Sequence, residues 1–277
     1  MMVLEDLEVK EEEGSNMEFE VISKNNDELV FMVTGADIAF INAIRRICMM
    51  EVPTVAIDDV NLVKNDSAMF NEVLAHRLGL LPITSDSASI EGLIMPEDCD
   101  CEEYCPQCTV PMILDEKGPC VVYSKDLKSV DPKIKPVYDT IPLLKLKEDE
   151  EVYLEAYAQL GLGKEHAKWE PTTACAYKFY PQITFGDDCN SCGHCAEACP
   201  RGVIEYKEDK VEITDLSNCS MCKSCYRACE GRTINIGFDD SKFIFKIETD
   251  GSIPPEEVLL KACDVLSEKA DKIIELV

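Results

Sequence analysis

CNSCGHCAEACP (Cys189 to Pro200) and CSMCKSCYRACE (Cys219 to Glu230) are one pattern written twice, thirty residues apart. In each copy three cysteines are separated by two residues, and a fourth follows after three more. That spacing wraps one loop around one inorganic core and points the last thiolate at a neighbouring core. If this crossing holds, Cys189, Cys192, Cys195 and Cys229 hold one [4Fe–4S] cluster, and Cys219, Cys222, Cys225 and Cys199 hold the other. Each copy runs on into a short apolar segment, Gly202 to Tyr206 and Arg232 to Ile236, so the unit reads as an internal two-fold repeat. One departure is visible: Glu230 stands where such motifs usually have proline, which puts the turn around Cys229 in question. A disulfide set or a zinc-bound remnant is the competing reading. Eight ligands at duplicate spacing favour clusters.

The tandem spacing is ferredoxin-like, and the surrounding composition sets its context. Sixteen cysteines suit either disulfides in an oxidising compartment or metal ligation in a reducing one. The start, MMVLEDLEVKEEEGSNM, has neither the basic end nor the apolar run of a signal peptide. The expectation is therefore a soluble, cytoplasmic, metal-bound chain with no membrane association. A formal charge of -27 repels phosphate backbones, so no direct DNA or RNA contact is expected. Membership of a nucleic-acid machine stays open.

A second thiol group, CDCEEYCPQC, contains Cys99, Cys101, Cys105 and Cys108. Four thiolates in ten residues suit a tetrahedral structural zinc ion, with a metal-free reduced loop as the alternative. Cys48, Cys120, Cys175 and Cys263 are left over and read as buried apolar fillers.

Residues 1–16 are acidic and aperiodic and read as a disordered tail. Phe19 and Val21, then Leu29, Phe31 and Val33, alternate as two strands around an Asn25-Asn26-Asp27 turn. A helix carrying Ile38, Ile41, Ile44, Ile47 and Cys48 on one face follows and must end before Pro53. A second helix is expected over Ser67 to Leu78, closed by Gly79 in a left-handed cap. Phe243, Phe245 and Ile247 mark a late strand. Pro254 and Pro255 open a terminal helix with Val258, Ala262, Val265, Leu266, Ile273 and Leu276 on one face. No nucleotide fingerprint, phosphate loop or nucleophile–base pair is present; His76 and His166 read as structural, and His194, inside a cluster loop, reads as a surface residue or one beside the cluster. No catalytic residue is assigned.

Three stretches resemble a known family: NAIRRICMMEVPTVAIDDVNLVKNDSAMFNEVLAHRLGLLPI (Asn42 to Ile83), GLGKEHAKWEPT (Gly161 to Thr172) and FKIETDGSIPPEEVLLKACDVL (Phe245 to Leu266). They look like the RNA polymerase family comprising the archaeal relative of bacterial alpha, bacterial alpha itself and the eukaryotic third-largest subunit. The CDCEEYCPQC group is similar to the zinc loop of the eukaryotic relative, and the ferredoxin-like insertion occurs in many archaeal members. The resemblance implies an α+β chain with an alpha-subunit-like dimerisation domain built from 17–51 and 238–277. It also implies an inserted mixed α/β-strand domain with the zinc loop over 52–180 and a ferredoxin-like iron–sulfur domain over 181–237.

By the same resemblance, the chain is a non-catalytic assembly subunit of an archaeal-type DNA-directed RNA polymerase. It would form a heterodimer with the small subunit L and dock the large catalytic subunits, whose nucleotidyltransferase activity belongs to the complex. Ile41, Ile44, Ile47, Val258, Val265 and Ile273 are interface candidates, with packing in the chain's own core as the equal alternative. Arg45, Arg46, His76 and Arg77 match motif positions and are candidates for assembly contacts, or for bonds within the subunit. An iron–sulfur electron-transfer subunit of an anaerobic redox enzyme is the second functional reading.

Overall fold

The computed structural model describes residues 17–102 and 104–276, and the tail read over 1–16 lies outside them. In chain order the first elements are β1 (Glu18–Lys24), β2 (Glu28–Thr34), α1 (Ile38–Met50), β3 (Thr54–Asn65) and α2 (Asn71–Gly79). Then come β4 (Thr109–Lys117), β5 (Cys120–Tyr123), β6 (Lys128–Ser129), β7 (Pro142–Leu146), β8 (Glu151–Gly161) and β9 (Thr172–Phe185). The last are α3 (His194–Glu197), β10 (Ile204–Lys207), β11 (Lys210–Ile213), α4 (Ser224–Ala228), β12 (Ile234–Thr249) and α5 (Pro255–Glu275). The chain is thus mixed α and β.

It divides into two compact units. The first holds residues 17–22, Val30–Ile41 and Tyr177–Phe245; the second holds Ser23–Leu29, Asn42–Ala176 and the chain from Lys246. A sheet of order β1-β2-β12-β9 organises the first unit. Its packing follows from period-two alternation: Phe31 and Val33 on β2 and Phe243 and Phe245 on β12 are all buried. Phe31 stacks on Phe245 at 5.1 Å, and Phe179 packs on Phe243 at 5.1 Å, so aromatic rings fill this layer. β1 is an edge strand, exposed along all seven residues. The hairpin β10–β11 lies in the same unit.

In the second unit β3-β8-β4-β6 form an antiparallel sheet beside the β5–β7 pair. Ile57, Leu74, Leu78, Ile83, Met112, Leu114 and Leu154 are fully buried in its core. The stretch Gly161 to Thr172 is shaped by close approach. A Cβ on Gly161 would lie 2.4 Å from the Trp169 ring, and one on Gly163 would lie 2.3 Å from the Met49 carbonyl oxygen. Thr54 Oγ1 donates to the Trp169 carbonyl at 2.7 Å, and Trp169 Nε1 donates to the Gln159 carbonyl at 3.2 Å. Ser85 links the other motif stretches. Its amide donates to the Ser252 carbonyl at 2.8 Å, and its hydroxyl accepts from the Val55 amide at 2.9 Å.

Two helices follow the sequence reading and one departs from it. α1 starts where the Asp37 carboxylate accepts from the Ala39 amide, and it ends at Met50, ahead of Pro53. α5 begins behind Pro254 with Pro255 in its first turn. α2 is shorter than expected because Asn65 competes for the backbone. Its side chain bonds the Ser67 amide and hydroxyl and the Met69 carbonyl, which holds that segment as a loop until Phe70. Gly79 is also not a left-handed cap. It ends the helix proper, and Leu80 at φ -91 follows it, with its amide bonded to the His76 carbonyl. A Cβ there would meet the Ile57 carbonyl oxygen at 3.5 Å, an ordinary contact, so neither turn geometry nor space requires glycine. β9 and β12 run unbroken through 180/181 and 237/238, the boundaries expected for the ferredoxin-like segment.

Candidate metal centres

The thirty-residue repeat is present in the backbone as well as in the cysteines. Ser191 and Met221 each take positive φ (52 and 50), and so do Gly193 and Lys223 (80 and 60) and Gly202 and Arg232 (63 and 51). α3 and α4 begin at the equivalent positions His194 and Ser224. The Cys189 and Cys219 amides donate to the carbonyls of Gly186 and Leu216, and those of Cys199 and Cys229 to Ala196 and Tyr226. The Cys229 turn therefore forms despite Glu230. Four of these left-handed residues carry a side chain, at a cost of about 1 kcal/mol each or more. Such turns aim successive amides into a concavity, the backbone form that receives anionic clusters and phosphates.

Burial repeats too. Cys195 and Cys225 are buried, Cys192 and Cys222 exposed, and Cys189, Cys199, Cys219 and Cys229 half-buried. The buried pair packs with Ile183, Val203, Ile204 and Ile234, and Cys199, Cys219 and Cys229 border that cluster. Cys199, Cys219, Cys222 and Cys225 line one small cavity of about 20 Å³. Burial, and then the nearby Cys199 and Cys219 thiolates, push the Cys225 thiol up. Burial with Cys192 and Cys189 does the same at Cys195. Met221 N–H points at Cys219 Sγ at 3.4 Å, and Lys178 on β9 donates to the Ser217 and Cys219 carbonyls at 2.5 and 3.1 Å.

The other thiol group is tighter. Cys99, Cys101, Cys105 and Cys108 place their sulfurs within 4.8 Å of one another. Cys99 and Cys105 are 3.5 Å apart, Cys101 and Cys108 3.5 Å, and Cys105 and Cys108 3.6 Å. A zinc ion with bonds near 2.3 Å needs thiolates roughly 3.8 Å apart, so these four match a single tetrahedral ion. Among the described residues no other group of Cys, His, Asp or Glu converges this closely. The eight repeat cysteines are thus spread wider than one ion allows. Crowding also splits the loop's acidities. Hydrogen bonding to Cys99 and Cys108 pushes Cys101 up to about 12. Burial opposes ionisation of Cys108, but the Thr109 hydroxyl and the Cys105 backbone bring it down to about 6. A dication would allow all four to ionise together.

The remaining candidates separate by burial. Ile41, Ile44, Ile47 and Val258 are buried in the chain's own core, so their side chains face inward. Val265 is half-buried and Ile273 is 63% exposed. Arg45 turns back along its helix, with Nε and Nη2 donating to Asn42 Oδ1 at 3.1 and 3.0 Å, while Arg46 is exposed. Arg77 donates to the Pro142 carbonyl at 2.7 Å. His166 Nδ1 accepts from the Lys168 amide at 3.0 Å, a local structural role. Of the four leftover cysteines only Cys48 is a fully buried filler; Cys120 and Cys175 are half-buried and Cys263 is exposed. A hydrogen bond with Cys175 and burial push the Cys48 thiol far up, which keeps it protonated. Sequence periodicity missed the exposed apolar residues Phe40 and Met50 on α1 and Leu260 and Ile274 on α5, and it put Ile38, which is exposed, on the stripe with the buried Ile41, Ile44 and Ile47. Mixed stripes give no signal for which of their apolar members face out.

Residues 30–270 match the RNA polymerase Rpb3/Rpb11 dimerisation domain. The chain is 59% identical over 258 residues to the DNA-directed RNA polymerase subunit Rpo3 of Methanothermobacter thermautotrophicus, covering 93% of this chain and 98% of that protein. It is 57% identical to the Rpo3 of Methanobrevibacter smithii, covering 93% and 97%. At greater distance it is 36% identical to that of Pyrococcus furiosus, covering 94% and 97%. These relatives give no support to the electron-transfer reading. The chain belongs to the RNA polymerase Rpb3/Rpb11 dimerisation-domain family, among the Rpo3 subunits of DNA-directed RNA polymerase.

Proposed function

We propose that this non-catalytic assembly subunit pairs with the small subunit L and that the pair docks the large catalytic subunits. The observation that carries the pairing is the outer half of α5. Beyond Ala262 the helix runs on to Glu275 with no fully buried residue, yet Ile273 and Ile274 are 63% and 71% exposed. An amphipathic helix with a bare apolar stripe is stabilised by covering it with a partner. Arg46 and Arg77 are the exposed members of the motif arginines and candidate contacts for a large subunit. The dimerisation domain is assigned to 17–51 and 238–277, the zinc-loop domain to 52–180 and the ferredoxin-like domain to 181–237. The location is cytoplasmic; no helix among the described residues is long and apolar enough to cross a membrane.

The same reading gives the metal centres structural work. Two [4Fe–4S] clusters would be held by Cys189, Cys192, Cys195 and Cys229 and by Cys219, Cys222, Cys225 and Cys199, and one zinc ion by Cys99, Cys101, Cys105 and Cys108. Bound metal supplies cross-links between loops that bury little apolar surface of their own. The repeated left-handed turns and the grouping of Cys199, Cys219, Cys222 and Cys225 around one cavity support the clusters. The short sulfur separations support the zinc.

Co-expression with subunit L tests the pairing. The wild-type chain is expected to co-elute with L, and Ile273→Glu with Ile274→Glu to lose it at an unchanged melting temperature. Co-elution that survives the double change would refute this surface. Failure of the wild type to pair would refute the partner.

A further inference from the structure

We propose that the two cluster sites are electrically unequal, and that the cluster on Cys199, Cys219, Cys222 and Cys225 accepts an electron before the one on Cys189, Cys192, Cys195 and Cys229. This rests on the reading that both sets hold [4Fe–4S] clusters. The fold repeats every thirty residues, so each position at one site has a counterpart at the other, and the charges at counterparts differ.

Lys223, φ 60, takes the place of Gly193, and Arg227 takes the place of Glu197. The crossed fourth ligand adds to the difference. Cys199 brings Pro200 and Arg201 to the cavity of the second site, where all three are lining residues. Their counterparts beside Cys229 are Glu230 and Gly231. Two further contacts belong to the second site. Half-buried Lys178 holds its ammonium against the Cys219 carbonyl at 3.1 Å, and Arg227 Nη2 donates to the Cys222 carbonyl at 3.1 Å. Against these stands Asp215, whose charge faces Lys178. The first site has Asp187 and Asp188 immediately ahead of Cys189, and Glu197 on α3. Against these stands Arg232, exposed and three residues past Cys229, where the second site has Gly202; with Glu230 the carboxylates outnumber it four to one.

A thiolate-ligated cube is already anionic, and one-electron reduction adds one more negative charge with no bond made or broken. Surrounding cations and N–H donors to sulfur stabilise the reduced form, and surrounding carboxylates disfavour it. Lys178, Arg201, Lys223 and Arg227 therefore raise the potential of the second site, while donors to sulfur occur at both sites, Met221 N–H on Cys219 Sγ and the Thr233 hydroxyl beside Cys229 Sγ, and do not separate them. The proposal concerns where the first electron resides. It does not make the subunit an electron carrier.

The test uses the full chain, co-expressed with its partner, purified anaerobically and assayed for iron and sulfide. It is then titrated with dithionite through redox mediators and followed by electron paramagnetic resonance. Two separated one-electron steps are expected. Lys178→Gln should lower the earlier step by about tenfold in its equilibrium constant, 59 mV for one electron, and leave the later step in place. Arg227→Glu, an exposed substitution that spares the fold, should narrow the gap in the same sense. A single unresolved step in the wild type, or a shift confined to the later step in either variant, would overturn the proposal. Iron and sulfide short of two cubes would instead overturn the cluster reading itself.

Discussion

Single residues in the shared stretches are fixed by contact rather than by chemistry. Gly161 lies beneath the Trp169 indole, and Lys168 holds its ammonium 4.2 Å from the same ring while pairing with Asp58. Gly161→Ala would push a methyl into that stack and should cost about 1–3 kcal/mol, read as a lowered denaturation midpoint. Asp250 illustrates the opposite case, a charge kept at some cost. Burial raises its carboxyl above the ordinary value, and the Ser252 hydroxyl and amide, at 2.5 and 2.9 Å, only partly offset this. An acid whose folded pKa is raised favours folding when protonated, so this group detracts from stability above its folded pKa and ceases to do so as pH falls below its unfolded value. Asp250→Asn keeps an acceptor for Ser252. It should be more stable than wild type at pH 7, with the gap closing toward acid; melts across that range check it.

At the scale of elements, what the sequence revealed depended on how local the signal was. The β2 alternation, the α1 helix and the Pro254-Pro255 start of α5 are written within a few residues and formed as read, except that Ile38 of the α1 stripe is exposed. α2 came out shorter because Asn65 acts from before the helix, through side-chain bonds that periodicity does not register. Cys99, Cys101, Cys105 and Cys108 converge as their spacing suggested. Which stripe residues face out was not legible, because burial of Ile44 or Val258 depends on neighbours far along the chain. β12 exceeded expectation. It continues from the second cysteine motif to Thr249 and carries Phe243 and Phe245 into the aromatic layer. Phe245→Ala would open a cavity against Phe31 and Tyr177 and should cost about 3–5 kcal/mol. Chemical denaturation followed by near-ultraviolet circular dichroism would measure it.

For the whole molecule, the two units rest on different sources of stability. The second has an extensive apolar core of its own, from Val55 to Leu160. Within the first, the loops from Cys189 to Cys229 pack on only six buried residues, two of them cysteines, and that is little apolar surface for some forty residues held in strained turns. Metal ligation is what would compensate. Loss of the clusters proposed there should therefore unfold this segment while the Val55–Leu160 core persists. Serine at all eight repeat cysteines is expected to expose residues 187–232 to limited proteolysis and to fast amide exchange. Pairing with L through α5 should survive, and recruitment of the large subunits should weaken. If the octa-serine chain were protected like the wild type and assembled polymerase to the same extent, the clusters would have no part in holding this fold. A chain that lost pairing with L as well would place the dependence in the dimerisation domain instead.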